Sequence, residues 1–268
     1  MTDTDSHPLL AAIADPARAP IEAADVAIVA AHPDDETLAF GVVMRRLEGA
    51  KIVMATDGAP RNLPTARELG FAGHEAYAAA RRAELSKALA LAGKTEADIV
   101  RLDFADQEAA DNVAVLARRL GEVFAEHGTR TVLTHAYEGG HPDHDAVAAA
   151  VAHAARGLGV TVIEAPISRL RDGRYAVQSF VPLGGPEPLV TLLTPEEAEL
   201  KLAMLACHAT QASLLHGYVP RRELFRIAPA YDFGQPPNHG AVMHEASFDG
   251  VWQWPDWSRK VTTALAEA

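Results

Sequence analysis

Two short segments of the sequence place histidines next to carboxylates. Residues 32–36 read HPDDE, and residues 141–145 read HPDHD. A neutral imidazole and a carboxylate three residues apart, such as His32 and Asp35, can converge on one metal ion, whereas the intervening Asp34 points elsewhere. Acidic residues at the start of a helix need no catalytic role, because the helix dipole favours them there. That explanation does not account for His32, so the two segments together predict a metal site.

Each motif lies between a predicted strand and a predicted helix. Residues 25–31 form an apolar run typical of a buried strand, and residues 37–47 have a helical pattern. The second motif follows the apolar run 130–134 and leads into an Ala- and Val-rich helix. A proline directly after the histidine suits the first turn of a helix, where a missing N–H costs nothing. Both motifs are therefore predicted at strand-to-helix turns, which face a cleft.

Strands and helices alternate along most of the chain. Further strands are predicted at residues 51–56, 99–104 and 161–167, and short antiparallel edge strands at 174–181 and 188–193. This alternation predicts an α/β, Rossmann-like three-layer fold with a mostly parallel sheet. In the common doubly wound order, the first and fourth strands flank the point where ligands bind. These two strands carry the motifs, so the motifs are expected to meet.

Length and composition favour one domain. The 268 residues, of which 49% are apolar, suffice for one sizeable core. Because no linker divides the sequence, a single domain over residues 1–268 is expected, with residues 1–24 and about 234–268 as peripheral extensions. All three tryptophans lie within residues 252–257. A tail folded back over the core explains them more simply than a sugar-stacking or subunit-contact surface.

The charge balance disfavours anionic partners. The 24 basic and 36 acidic residues give a net charge of −12, which repels nucleic acid and anionic membrane surfaces. Cys207 is the only cysteine, which excludes a disulfide framework and a cysteine-based metal site. The acidic N-terminus is unlike a signal peptide, and no apolar run approaches the ~18 residues that span a bilayer. A cytoplasmic protein without nucleic-acid or membrane partners is expected, and a homo-oligomer is left open.

The paired motifs resemble those of the PIG-L/LmbE-like family of zinc-dependent de-N-acetylases. The first motif of that family is (A)HPDDE and the second is HPDH, and both are present in this sequence without a break. The resemblance runs from about Val26 to about Phe233. It implies a metal-dependent amide hydrolase that removes an acetyl group from the nitrogen of an amino sugar or sugar conjugate. Its substrate would be a small N-acylated molecule.

The motifs supply the ligands of a catalytic metal. A catalytic zinc typically has three protein ligands and one open position, and His32, Asp35 and His144 provide two imidazoles and a carboxylate. One Zn²⁺ per chain is therefore predicted, although Fe²⁺ or another divalent ion is compatible with these ligands. Zinc lowers the pKa of its bound water to about 7, so that a nearby base can take the proton. Asp34 flanks a ligand, and the resemblance assigns it as that base.

Two residues of the second motif are candidates for the remaining catalytic steps. His141 is the best remaining donor to the oxyanion that forms on the amide carbonyl. Asp143 is expected to hold the His141 ring in its protonated form. Either Asp34 or His141 could protonate the departing amine, and the sequence does not choose between them.

Three residues are candidates for substrate binding. Arg81 lies in an Arg-x-x-Glu segment that resembles the one through which the family binds substrate, although a solvated helix face is the alternative. In the family an acidic residue after the third strand can hold sugar hydroxyls, which points to Asp106, with Asp103 as its rival. Either acid could instead cap a helix. Tyr137 could place its hydroxyl over the site or pack its ring against the loop.

Two other functions compete with sugar deacetylation. One is a metal-dependent amidase that acts on a non-sugar N-acyl substrate. The other is a non-catalytic sugar- or nucleotide-binding module, but such a module has no need of Asp34, and no Gly-x-Gly-x-x-Gly follows the first strand. A purely structural metal site is disfavoured, because such sites are usually closed by four Cys or His ligands.

Overall fold

The computed structural model describes residues 7–62, 64–216, 218–243 and 253–268. The helices in these ranges are α1 (Pro8–Ala14), α2 (Asp35–Arg46), α3 (Pro64–Glu68), α4 (His74–Leu91), α5 (Val113–Glu126), α6 (Pro142–Leu158), α7 (Pro195–Ala206), α8 (Ala212–Leu215) and α9 (Trp254–Ala266). The strands are β1 (Ile21–Glu22), β2 (Val26–Ala30), β3 (Leu47–Glu48), β4 (Lys51–Pro60), β5 (Ile99–Asp106), β6 (Thr131–His135), β7 (Thr161–Ala165), β8 (Ser168–Arg171), β9 (Arg174–Val177), β10 (Leu189–Leu192) and β11 (Arg222–Ile227). Within the described ranges, no helix combines the length and apolarity needed to cross a bilayer.

Seven strands form the central sheet, in the order β10-β11-β7-β6-β2-β4-β5. Neighbouring strands from β7 to β5 are parallel, whereas β11 runs antiparallel to both β7 and β10. This arrangement confirms the predicted α/β, Rossmann-like fold with a mostly parallel sheet. The predicted edge strand at 188–193 is β10, and it is antiparallel as expected.

The other predicted edge strand lies outside the central sheet. Residues 174–177 pair with β8 in a separate antiparallel hairpin. Asp172 and Gly173 connect the two strands with φ values of 52° and 71°, as a two-residue type I′ turn requires. The place beside β7 is taken by β11, which the sequence left unassigned because its charged residues obscure a simple alternation. The expected edge position of residues 174–181 is therefore wrong.

The central strand β2 is buried on both faces. Ala27 and Val29 contribute to a core shared with α5, α6 and α9, whereas Ile28 contributes to a core shared with α1, α2 and α4. A parallel strand covered by helices on both sides must be apolar throughout. This is why an unbroken apolar run leads into the first motif, and the neighbouring strand β6 is buried in the same way.

The C-terminal helix α9 folds back over the first of these cores. Trp257 is fully buried, and its indole N–H donates to the carbonyl oxygen of Pro142 at 3.1 Å. The indole N–H of Trp254 donates to the hydroxyl of Tyr137 at 3.2 Å. The predicted covering role is confirmed for these two tryptophans, whereas Trp252 lies outside the described residues.

Candidate active site

The two motifs meet at the carboxyl ends of β2 and β6. These strands are parallel neighbours, with Val29 opposite Thr134. The chain leaves β2 towards β4 on one side, while β6 and β7 lie on the other side. A crevice opens where strand order reverses in this way. The predicted meeting of the two motifs is therefore confirmed.

Three side-chain atoms form a nearly equilateral triangle at this point. His32 Nδ1 lies 3.2 Å from Asp35 Oδ2 and 3.2 Å from His144 Nε2, and the latter two atoms are 3.1 Å apart. Tetrahedral coordination with metal–ligand distances of about 2.0–2.2 Å places donor atoms about 3.3–3.6 Å apart. The three side chains are buried. This donor set therefore fits one divalent ion.

Two other groups of donor atoms overlap this triangle. Ring nitrogens of His32, His141 and His144 lie within 4.8 Å of one another, and so do donor atoms of His32, Asp106 and Asp143. A backbone N–H donates to His141 Nδ1 and to the Asp143 carboxylate, but one also donates to Asp35 Oδ2 in the triangle, so these hydrogen bonds do not distinguish the groups. All three spacings in the triangle are 3.1–3.2 Å, close to those of tetrahedral coordination. We therefore assign the triangle as the candidate metal centre and the other groups as its surroundings.

The second ring nitrogen of His32 faces two carboxylates. His32 Nε2 lies 3.1 Å from Asp106 Oδ1 and 3.2 Å from Asp143 Oδ2. Burial opposes the charged form of His32, but hydrogen bonds and the charge of Asp106 raise the pKa of His32 well above its ordinary value. A carboxylate on the outer nitrogen fixes the orientation and tautomer of a ligating histidine. Nδ1 is thereby directed towards the triangle.

The expectation that Asp143 holds the His141 ring protonated is wrong. The Asp143 carboxylate accepts backbone N–H groups from Gln107 at 2.6 Å and Ala109 at 3.1 Å, and it faces His32. His141 caps the start of α6, where its Nδ1 accepts the backbone N–H of Asp143 at 3.1 Å. Burial and the neighbouring histidines lower the pKa of His141 well below its ordinary value. The ring is therefore neutral, with its hydrogen on Nε2.

Asp34 adopts an unusual backbone conformation next to the triangle. Its φ of 136° and ψ of −28° lie where residues with a Cβ are seldom found, at a typical cost of about 1–3 kcal/mol. Glu36 Oε2 accepts the Asp34 N–H at 2.9 Å, and Arg81 Nη2 donates to Asp34 Oδ2 at 3.2 Å. Burial raises the pKa of Asp34 to about 7, although the charge of Arg81 opposes the shift. Asp34 is thus a buried residue whose backbone is held by Glu36 and whose carboxyl group is held by Arg81.

Arg81 is buried beneath the first motif. Its Nη1 donates to the carbonyl oxygen of Gly58 at 2.7 Å, and its Nη2 donates to the carbonyl oxygen of Pro33 as well as to Asp34. The side chain is only 4% exposed. The alternative of a solvated helix face is therefore wrong, whereas the predicted contact between Arg81 and substrate stays a prediction.

Of the two rival acids near the end of β5, Asp106 reaches the site. Its Oδ1 contacts His32 and lies 4.0 Å from His141 Nε2. Burial opposes ionisation, but His32 holds the pKa of Asp106 well below its usual range. The side chain of Asp103 is 56% exposed and lies 3.7 Å from Arg82. Asp106 remains the candidate for contact with sugar hydroxyls.

Tyr137 packs into the core and does not overhang the site. Its hydroxyl donates to the carbonyl oxygen of Gln235 at 3.0 Å. Its ring centroid lies 4.9 Å from that of Phe233 and 6.0 Å from that of Trp257. This corrects the expected contact with substrate and favours the alternative of a packed ring. These partners, Gln235, Phe233 and Trp257, lie about 100 residues further along the chain, so a local sequence pattern does not reveal them.

Two buried residues that the sequence left without a role surround the second motif. His135 ends β6, and its ring stacks on that of His144 with centroids 4.7 Å apart. Glu138 Oε1 accepts the backbone N–H groups of Ile167 at 2.6 Å and Ser168 at 2.8 Å. Glu138 thereby ties the second motif to the chain that enters β8. Their position directly after an apolar strand was the only sequence signal.

A buried ion pair between α7 and β11 holds α2, the helix that follows the first motif. The Glu223 carboxylate in β11 accepts the backbone N–H groups of Val42 at 2.8 Å and Val43 at 2.9 Å, both in α2. Lys201 Nζ donates to the same carboxylate at 2.7 Å. Lys201 and Glu223 are 0% and 1% exposed. This contact anchors α2, which begins at Asp35, to the antiparallel side of the sheet.

The fold is shared with several solved deacetylases. A deacetylase of an antimicrobial pseudoaglycone is 21% identical, with 78% of this chain and 100% of that chain covered and a TM-score of 0.59. The zinc inhibited form of teicoplanin deacetylase is 16% identical, with 77% and 99% covered and a TM-score of 0.56. The N,N'-diacetylchitobiose deacetylase from Pyrococcus horikoshii is 17% identical, with 76% and 83% covered and a TM-score of 0.55. Identities this low establish a likeness of fold.

A family profile matches the part of the chain that carries both motifs. No curated protein sequence matches the chain significantly. Residues 27–155, however, match the profile of the PIG-L family, described as GlcNAc-PI de-N-acetylase. The matched residues run from β2 to α6 and include the triangle and Asp34. The chain therefore contains a domain of the PIG-L family.

Proposed function

We propose that this protein is a divalent-metal-dependent N-deacetylase that acts on an N-acetylated amino sugar or a conjugate of one. The observation that carries the proposal is the triangle of His32 Nδ1, Asp35 Oδ2 and His144 Nε2 next to the buried carboxyl group of Asp34. The family description and the deacetylases that share the fold support the reaction class. The substrate would be a small molecule.

His32, Asp35 and His144 would hold the metal ion. When bound, such an ion lowers the pKa of a water molecule and polarises the amide carbonyl of the substrate. We propose one Zn²⁺ per chain, although these ligands also suit Fe²⁺. Asp143 and Asp106 hold the outer nitrogen of His32, so the ligand set is oriented before an ion arrives.

Asp34 is the proposed general base. Its carboxylate would take a proton from the attacking water as the C–O bond forms. The same group, now protonated, would return that proton to the nitrogen as the C–N bond breaks, so the amine leaves neutral. Burial and the contact with Arg81 hold this carboxyl group in one place.

His141 is proposed to stabilise the developing oxyanion as a neutral donor. Its Nδ1 accepts a backbone N–H, which leaves the ring hydrogen on Nε2. A preorganised donor aimed at an oxyanion typically lowers the barrier by about 3–4 kcal/mol. A neutral imidazole donates a hydrogen bond more readily than a proton. This assigns the protonation of the departing amine to Asp34.

Acetate release tests the proposal. The full chain, stripped of metal and then reloaded with one equivalent of Zn²⁺, Fe²⁺ or Mn²⁺, is incubated with N-acetylglucosamine, its conjugates and N-acetylated non-sugars. Several metals are needed because one protein of this fold is described as zinc inhibited. We expect metal-dependent release from sugar substrates, and none from the Asp34→Asn protein. Acetate release only from the N-acetylated non-sugars would mean that the substrate is not an amino sugar. No release from any of the tested compounds would overturn the proposal.

A further inference from the structure

The Arg81 guanidinium donates its hydrogen bonds to oxygen atoms of the protein. Nη1 donates to the carbonyl oxygen of Gly58 at 2.7 Å, and Nη2 donates to the carbonyl oxygen of Pro33 and to Asp34 Oδ2. The side chain is 4% exposed, and its Nε is also buried. A planar guanidinium is rigid enough to fix several acceptors at once. Little of this side chain is left to face a substrate.

The turn that Arg81 contacts is strained. Asp34 has a φ of 136°, and such conformations persist only where the surrounding structure over-determines them. On one side Glu36 accepts the Asp34 N–H at 2.9 Å. On the other side Arg81 binds the carbonyl oxygen of Pro33 and the Asp34 carboxylate. These contacts fix the backbone before Asp34 and the side chain of Asp34 itself.

Arg81 is itself clamped from two directions. A Cβ added at Gly58 would lie 2.7 Å from Arg81 Cζ and 2.7 Å from Pro33 Cδ, so only glycine lets β4 approach this closely. One turn further along α4, Glu84 accepts the N–H of Thr210 at 2.9 Å and its hydroxyl at 2.7 Å. The helix that carries Arg81 is therefore anchored independently of the site.

We infer that Arg81 is a positioning residue that holds Asp34 in its strained, productive orientation, and that it is not a substrate contact. The inference rests on the proposed function in so far as Asp34 is the base. This positioning role differs from the substrate role that the sequence predicts. Removal of the Arg81 side chain should slow the catalytic step and leave substrate binding unchanged. Arg82 provides a matched control, since it is adjacent on α4 but its side chain is 36% exposed.

Steady-state kinetics separate the two roles. Misplacement of a reacting group by 1 Å can cost ~100-fold in rate, so we expect Arg81→Ala to lower kcat by about that factor. KM should stay within about twofold, because a group that acts only on the transition state does not change ground-state binding. Bound metal per chain should be unchanged, and Arg82→Ala should behave as wild type. A raised KM with an unchanged kcat would overturn the inference and restore the substrate contact.

Hydrogen exchange gives a second measurement that needs no activity. In Arg81→Ala, backbone amides of residues 34–37 should exchange faster, whereas those of β2 should not, and Arg82→Ala should leave both unchanged. If Arg81→Ala fails to fold, Arg81→Lys carries the test, since it keeps the charge but not the planar fork. Unchanged exchange at residues 34–37 would overturn the inference. If the wild type releases no acetate, the proposed function fails, while the exchange result still decides whether Arg81 holds the turn.

Discussion

The two His-Pro-Asp turns share a sequence pattern but differ in how they are held. Both follow neighbouring parallel strands and lead into helices. The second turn is relaxed: His141 has an extended backbone and caps its own helix, with proline in the first helical position. The first turn is strained at Asp34, and it depends on Arg81 from α4 and on Glu36 for support.

The difference shows that each turn completes the other. The first turn contributes a histidine and a carboxylate to the proposed metal centre, together with the proposed base. The second contributes a further histidine, His144, and the carboxylate of Asp143, which holds His32 from outside the triangle. Of the residues in the two motifs, only the proposed base, Asp34, has a positive φ, which agrees with the tendency of strained residues to cluster at functional sites. Substitutions in the two turns should therefore have different signatures.

The largest effect is expected for His144→Ala. Removing one corner of the triangle leaves two protein ligands, too few for a catalytic zinc site. We expect metal content after dialysis to fall to near zero and activity to disappear. His153→Ala, in the same helix but partly exposed, is the control and should keep both. Full metal content in His144→Ala would mean that the ligands are other residues.

Asp34→Asn should separate metal binding from turnover. The variant keeps the shape of the side chain but cannot accept a proton, and loss of a general base typically lowers the rate roughly 10²–10⁴-fold. Metal content should equal that of the wild type, which elemental analysis measures alongside acetate release. Full activity in this variant would place the base elsewhere.

Asp143→Asn tests the link between the turns. Loss of a carboxylate behind a ligating histidine typically weakens metal affinity about 10–100-fold. We expect a shift of that size in competition with a chelator, since His32 loses its partner at 3.2 Å. Asp172→Asn, at a side chain that is 92% exposed, should leave the affinity unchanged. An unchanged affinity in Asp143→Asn would show that Asp106 alone orients His32.

Tyr137→Phe should have the smallest effect. Among the described residues, the hydroxyl bonds to the carbonyl oxygen of Gln235 and the indole N–H of Trp254, and a buried hydrogen bond is typically worth about 1 kcal/mol. We expect a fall of about that size in the free energy of unfolding, measured with urea, and an unchanged KM. A clear rise in KM would restore the substrate contact that the packing argues against.

Much of the fold followed from local patterns. The apolar runs and their alternation with helices predicted the central sheet, and strand order alone predicted that the motifs meet. The type and spacing of His32, Asp35 and His144 predicted a metal site, because coordination chemistry depends on few atoms. These features depend on residues close together in the chain or on general rules of topology.

What escaped prediction depends on contacts between distant segments. The Asp143 carboxylate faces His32 because it accepts hydrogen bonds from the backbone N–H groups of Gln107 and Ala109. Nothing within the second motif specifies the loop that carries these two residues. The local pattern at Arg81 is compatible with an exposed helix residue, whereas its guanidinium is buried against the carbonyl oxygen of Gly58, in a strand that the pattern does not reveal. The strand β11 was missed because charged residues obscure its alternation, and its place in the sheet depends on pairing with β7 and β10.

X-ray absorption at the zinc edge on the zinc-loaded full chain tests the central claim most directly, since it reads the ligands of the ion without reference to activity. The assignment of His32, Asp35 and His144 predicts one zinc per chain with two imidazole nitrogens and a carboxylate oxygen at about 2.0–2.2 Å. A first shell with fewer than two imidazoles, or with a sulfur from Cys207, would contradict it.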